Sequence, residues 1–175
     1  MPSTVHETFI LLVVEDILLQ LRTLGSSSAP SSAFAQRIQP LVSSRITFKK
    51  NVKLDSTSTT QTAETFETYI RHDPDASFAY ESAKYPGVVI EVSYSQKRGY
   101  LNYLAENYIL ESNGNIRVVV GLDIDYRSSK KATISMWCPK IISNQQDGQS
   151  ELVAETLLEG QVSNQTSVSL VYGGN

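Results

Sequence analysis

The segment Pro86-Gly-Val-Val-Ile-Glu-Val-Ser-Tyr-Ser95 constrains this chain most. Val88 to Tyr94 is apolar enough to predict a strand buried inside a sheet. Yet it carries a carboxylate, Glu91, between Val89, Ile90 and Val92. An ionised group there raises the free energy of the fold unless a partner compensates it, and a metal ion is one such partner. Pro74-Asp75 supplies a second acid upstream. Side chains alternate across a strand, so Glu91, Ser93 and Ser95 share one face while Ile90, Val92 and Tyr94 share the other. Asp75 and Ser77 oppose Ala76 and Phe78 in the same way. If the two strands are neighbours, Asp75 and Glu91 meet. Two facing carboxylates repel unless a hard cation sits between them, and Mg²⁺ is typically held by one or two carboxylates plus waters and phosphate oxygens. The plainer alternative is a solvated acidic pair on an exposed sheet face.

The rest of the chain narrows the chemistry. With 175 residues and 41% apolar content, residues 1–175 are expected to form a single domain. The net charge of −3 gives no global positive field, so nucleic-acid binding would rest on local basic patches. Cys138 is the only cysteine, which excludes an internal disulfide and a cysteine-based zinc site. His6 and His72 are far apart in sequence, which argues against a histidine-rich site and leaves oxygen ligands. The apolar stretch Phe9 to Val14 runs straight into Glu15 and Asp16 and is too short to span a bilayer. The expectation is an intracellular protein, cytoplasmic or nuclear, with no membrane contact.

Helical periodicity over Thr4–Leu24, with Phe9, Leu12, Val13, Ile17, Leu21 and Leu24 inward, predicts a first helix, with Thr4 and Glu7 as a capping box. A Gly/Ser-rich loop follows, and Ala33–Val42 is expected to form a short second helix despite Pro40. Strands are expected at Ile46–Leu54, Thr65–Arg71, Ala76–Tyr80 and Val88–Tyr94, with Ser56–Thr62 an exposed connection. Gln96–Glu111 reads as a helix stopped by Ser112-Asn-Gly114. Strands at Ile116–Tyr126 and Ala132–Trp137 flank a hairpin turn at Arg127–Lys131, and Leu152–Gln161 and Ser167–Tyr172 add edge strands. The predicted class is α/β bordering on α+β, with a central mixed sheet flanked by helices and extra C-terminal strands.

On the helix after Glu91, Lys97 shares the sheet-facing stripe with Leu101, Leu104 and Tyr108, so its ammonium is expected near the end of the Glu91 strand. There it would orient water or stabilise phosphate charge. Gln96, Tyr100, Tyr103 and Asn107 form a second, polar and aromatic stripe suited to lining a groove. Lys49, Lys50 and Lys53, the Lys97-Arg98 pair, and Lys130-Lys131 are basic clusters that would contact phosphates if they share a face. His72 beside Asp73 and Pro74 reads as a polar turn residue, with a general base as the alternative.

Pro74-Asp75, then Glu91-Val-Ser93, then Tyr94-Ser-Gln-Lys97 and an amphipathic helix before a valine-rich strand resemble the PD-(D/E)XK nuclease superfamily, the restriction-endonuclease-like fold. Asp73 to Trp137 is similar to uncharacterised fungal members and, more distantly, to the Uma2-like endonucleases. The resemblance implies an αβββαβ core and hydrolysis of phosphodiester bonds in nucleic acid, DNA before RNA, with Mg²⁺ or Mn²⁺. Asp75, Glu91 and the Val92 carbonyl would hold the metal. The family pattern expects lysine where Ser93 stands, and Lys97, with Gln96 as the second candidate, would take over the orienting of water. Arg98, Tyr100 and Tyr103 would join the lysine clusters on the substrate. An acid from the first helix often completes such sites, which here leaves Glu7 or Glu15. Two alternatives follow: an inactive module of the same fold that binds nucleic acid or protein, and a structural protein assembling through its C-terminal strands. Homodimer formation is compatible with each.

Overall fold

The computed structural model describes residues 4–41, 44–53, 65–93, 98–124, 132–143, 149–162 and 171–172. Helix α1 (Thr4–Gly25) leads through the short α2 (Ser32–Ala35) into strand β1 (Ile38–Leu41). Strands β2 (Ile46–Lys53) and β3 (Thr65–His72) precede β4 (Ala76–Tyr80) and β5 (Val88–Ser93). Helix α3 (Arg98–Glu111) links β5 to β6 (Val118–Ile124), and β7 (Ala132–Ser143), β8 (Ser150–Val162) and β9 (Val171–Tyr172) complete the order. The architecture is α+β around a mixed sheet of seven strands in the order β1-β4-β5-β6-β7-β8-β9, with β2 and β3 paired separately as an antiparallel ribbon. β5 and β6 run parallel, as a connection through a helix requires. The other pairs in the sheet are antiparallel.

Each face of the sheet buries its own cluster. Ala76, Phe78 and Ile90 meet Ile10, Val13, Val14, Ile17 and Leu21 of α1. On the opposite face Val89, Val119 and Trp137 meet Leu101, Leu104, Ala105, Tyr108 and Ile109 of α3, and Ile46 and Phe48 of the ribbon close this cluster from the side. Gly121 of β6 makes the close approach possible. A Cβ there would lie 2.8 Å from the Trp137 ring and 3.2 Å from Leu101.

Several expectations need correction. The second helix is confined to Ser32–Ala35, and Ile38–Leu41, Pro40 included, is a strand. Pro40 opposes Phe78 at the edge of the sheet, where a missing N–H costs no ladder bond on the open side. The inward stripe of α1 is rotated from the predicted one: Leu12 is 58% exposed and Leu24 38%, while Ile10, Val14 and Leu18 face the sheet. The strand starting at Ala132 runs on to Ser143, and β8 spans Ser150–Val162 as its partner throughout. With β9 opposite Leu158 and Glu159, β8 is not the edge there. The stop after α3 is as expected: Asn113 and Gly114 have φ of 54° and 71°, and the Gly114 N–H donates to the Ile109 carbonyl at 2.8 Å. The turn at Arg127–Lys131 and the connection Ser56–Thr62 lie outside the described residues. Among those described, no helix is long and apolar enough to cross a membrane.

Candidate active site

β4 and β5 are hydrogen-bonded neighbours, with Ala76 opposite Ile90. The paired register ends at Ala76, so Asp75 stands one residue before β4, next to the Glu91 strand. Asp75 is fixed at both oxygens. Its Oδ2 accepts the Val92 N–H at 2.7 Å, and its Oδ1 lies 3.2 Å from His6 Nε2. Glu91 is on the face covered by α3, where the Tyr108 hydroxyl donates to Oε1 at 2.6 Å. Because α3 continues the stripe Leu101, Leu104, Tyr108 against the sheet, a tyrosine two turns after Leu101 reaches back to the strand that precedes the helix.

Burial pushes the Glu91 carboxyl up to about 7 from an ordinary 4.5. The Tyr108 hydrogen bond opposes that rise, and the charge of Asp75 adds to it. The two acids therefore feel one another. The Tyr108 hydroxyl is pushed upward by burial and by Glu91, so it stays a proton donor. Its ring packs against His72 with centroids 4.9 Å apart, and against Phe48. His72, expected as a turn residue, is instead the last residue of β3, and burial lowers its pKa against the opposing charges of Asp73 and Glu111. It buttresses Tyr108 as a neutral ring.

A pocket of about 480 Å³ opens beside Asp75 between α1 and the strands β1 and β4, with His6, Ile10, Val14, Leu41 and Asp73 in its walls. Glu7 stands at its rim, whereas Glu15 is exposed and lines no part of it. The side chain that α1 brings to Asp75 is thus His6. Sequence reasoning missed it and the Tyr108 hydroxyl. The signal for His6 was present: it occupies the helical stripe of Ile10, Val13 and Ile17 at spacings of four, seven and eleven.

The remaining predicted residues are described only in part. Gln96 and Lys97 lie outside the described residues, as do Lys130 and Lys131; Lys53 and Arg98 have described backbone only. Lys49 pairs with Glu67 at 2.5 Å and Lys50 with Glu111 at 2.9 Å, so neither offers an unneutralised charge for phosphates. Tyr100 and Tyr103 are 52% and 58% exposed on the outer side of α3, as a stacking surface requires.

A divalent cation is the group the resemblance implies, and the donor chemistry fits it. Asp75 and Glu91 lie near enough that the charge of one hinders ionisation of the other. No three His, Cys, Asp or Glu side chains among the described residues are already gathered around one point. Compared with models of known protein families, with curated proteins and with solved structures, the chain gives no match in any of the three.

Proposed function

We propose that this chain is a divalent-metal-dependent nuclease of the PD-(D/E)XK type. The observation that carries the reading is Asp75, just before β4, bonded to the Val92 N–H of β5 and near enough to Glu91 for its charge to hinder Glu91 ionisation, with Glu91 on the strand that leads through α3 into a parallel neighbour. Leaving out the β2–β3 ribbon, α1, β1, β4, β5, α3 and β6 follow one another in the order helix, three strands, helix, strand. That order supports a restriction-endonuclease-like core with one helix on each face of the sheet.

In this reading Asp75, Glu91 and the Val92 carbonyl bind Mg²⁺ or Mn²⁺. When bound, the cation supplies the positive charge that activates water and neutralises the phosphodiester. The Val92 N–H keeps the Asp75 carboxylate oriented, and the Tyr108 hydroxyl anchors one oxygen of Glu91. Ser93 can neither carry charge to the phosphate nor polarise water by charge. Lys97 takes that part, with Gln96 orienting the attacking water, and exposed Tyr100 and Tyr103 stack on bases of the substrate.

The test is cleavage of supercoiled plasmid, single-stranded DNA and RNA with Mg²⁺ or Mn²⁺ by the wild type, Asp75→Asn and Glu91→Gln. Each substitution is expected to lower cleavage by more than about a hundredfold. Equal cleavage by all three proteins would remove the site assignment. Cation-independent DNA binding without cleavage would identify an inactive member of the fold instead.

A further inference from the structure

We infer that a second pocket, on the α3 face of the sheet across β6, β7 and β8, binds a single sugar ring through its vicinal hydroxyls. The inference is independent of the nuclease reading, because neither Asp75 nor Glu91 takes part in it.

Alternation along three strands builds the pocket. The side of Gly121 that would carry a Cβ faces α3, since a Cβ there would meet Leu101 and Trp137. Asp123, two residues on, shares that face. Across the ladder Asp123 opposes Thr133 and Gly121 opposes Ser135, which in turn opposes Glu159. Trp137 fills its place on this face with a large ring, whereas the short side chains of Thr133 and Ser135 leave a hollow beside it. The hollow has a volume of about 180 Å³ and is bounded by Leu101 and Asn102 of α3.

A β-bulge decides what β8 contributes. The register shifts between Met136 and Trp137, which oppose Leu158 and Thr156, so Leu157 is an extra residue. Without it Leu158 would oppose Ser135, and Glu159 would turn to the other face. The bulge therefore puts a carboxylate into the pocket in place of a leucine.

The side chain that points to a ligand is Ser135. It is 7% exposed, and its hydroxyl makes no hydrogen bond among the described residues. A hydroxyl taken out of water without a partner raises the free energy of the fold. Ser135 lines the cavity, so a ligand there supplies the missing bond.

Donor and acceptor chemistry selects the ligand. Ionised Asp123 and Glu159 only accept, while the hydroxyls of Ser135 and Thr133 both donate and accept. Sugar hydroxyls also do both; an ammonium or guanidinium only donates and offers no acceptor to the two protein hydroxyls. Asp123 and Glu159 each already interact with a neighbour, but a carboxylate has about four lone-pair sites, so both can still accept from a diol. The same two acids repel a phosphate. The cavity is smaller than the ~300–1,000 Å³ of pockets for drug-sized ligands, so it takes one ring. Leu101 and the Trp137 ring give the C–H side of that ring an apolar wall.

The experiment follows the indole N–H resonance of Trp137, the single tryptophan, in the full chain during titration with D-ribose, D-galactose, adenosine and 2′-deoxyadenosine. Methylguanidinium is the cationic control. Wild type, Ser135→Ala and Glu159→Gln are compared, with circular dichroism confirming that each is folded. The expected result is a saturable shift with a sugar, its Kd raised about tenfold in each variant. Binding of adenosine but not of 2′-deoxyadenosine would support the inference with a nucleoside as the source of the diol. Binding of the monosaccharides without adenosine would support it with a free sugar as the source. No saturable shift with any of the sugars, an unchanged Kd in both variants, or saturation by methylguanidinium alone would overturn it.

Discussion

Tyr108 does two jobs with one side chain. Its ring is fully buried among Phe48, His72 and the α3 cluster, and its hydroxyl is the one donor seen on Glu91 among the described residues. Periodicity identified the ring as sheet-facing, because a stripe at spacings of three and four is a property of the helix alone. The hydroxyl's partner depends on how far along β5 the helix crosses, which periodicity does not contain. Tyr108→Phe separates the two jobs. The substitution keeps the packing and removes the bond that favours the ionised form of Glu91, so the Glu91 pKa should rise above about 7. At pH 7 more of the carboxyl is then protonated, and divalent-metal affinity should fall while the fold persists. A carboxyl ¹³C titration of Glu91 in both proteins checks this; an unchanged or lowered pKa would contradict the hydrogen bond's role.

Helix α1 and strand β1 are where sequence reasoning went furthest astray, and both errors have the same cause. α1 is apolar on more than one side: Val5, Leu11, Leu12 and Leu19 are exposed although they are large hydrophobics. Several stripes were therefore available, and the sheet surface at Ala76, Phe78 and Ile90 selects the one that includes His6. Ile38–Leu41 pairs with β4, almost forty residues later, and pairing at that distance leaves no local trace in the sequence. Gly121 shows the same dependence from the other side. Nothing near it in sequence demands a glycine, yet its neighbour across the ladder is Glu91 and the Trp137 ring covers it. Gly121→Ala should displace the ring and destabilise the fold by about 1–3 kcal/mol. The protein's single tryptophan reports it directly, through a shifted emission of Trp137 and a lower denaturation midpoint. An unchanged midpoint would mean that α3 and β7 can move apart freely.

For the whole molecule, the Glu91 environment couples stability to pH. Its folded pKa of about 7 lies above the ordinary 4.5 expected in the unfolded chain, so the native state holds an extra proton between those values. The protonated carboxyl suits its buried position; this contribution is complete below about pH 4.5 and is lost as pH rises toward and through 7. Stability without added metal should therefore fall across that window, by roughly 3 kcal/mol if Glu91 acts alone. Glu91→Gln should flatten the dependence, which thermal melts between pH 4.5 and 8 will measure; identical slopes in the two proteins would count against it. Much of this molecule follows from local pattern: the α3 helix and its stop, and the buried β5 strand that carries Glu91. Those features depend on residues within a few positions of one another. Which face of α1 turns inward, that His6 arrives at Asp75, that Tyr108 holds Glu91, and that Lys49 and Lys50 spend their charge on Glu67 and Glu111 all depend on long-range packing. Such contacts are chosen by the shape of a sheet assembled from distant strands, and no window of sequence carries that shape.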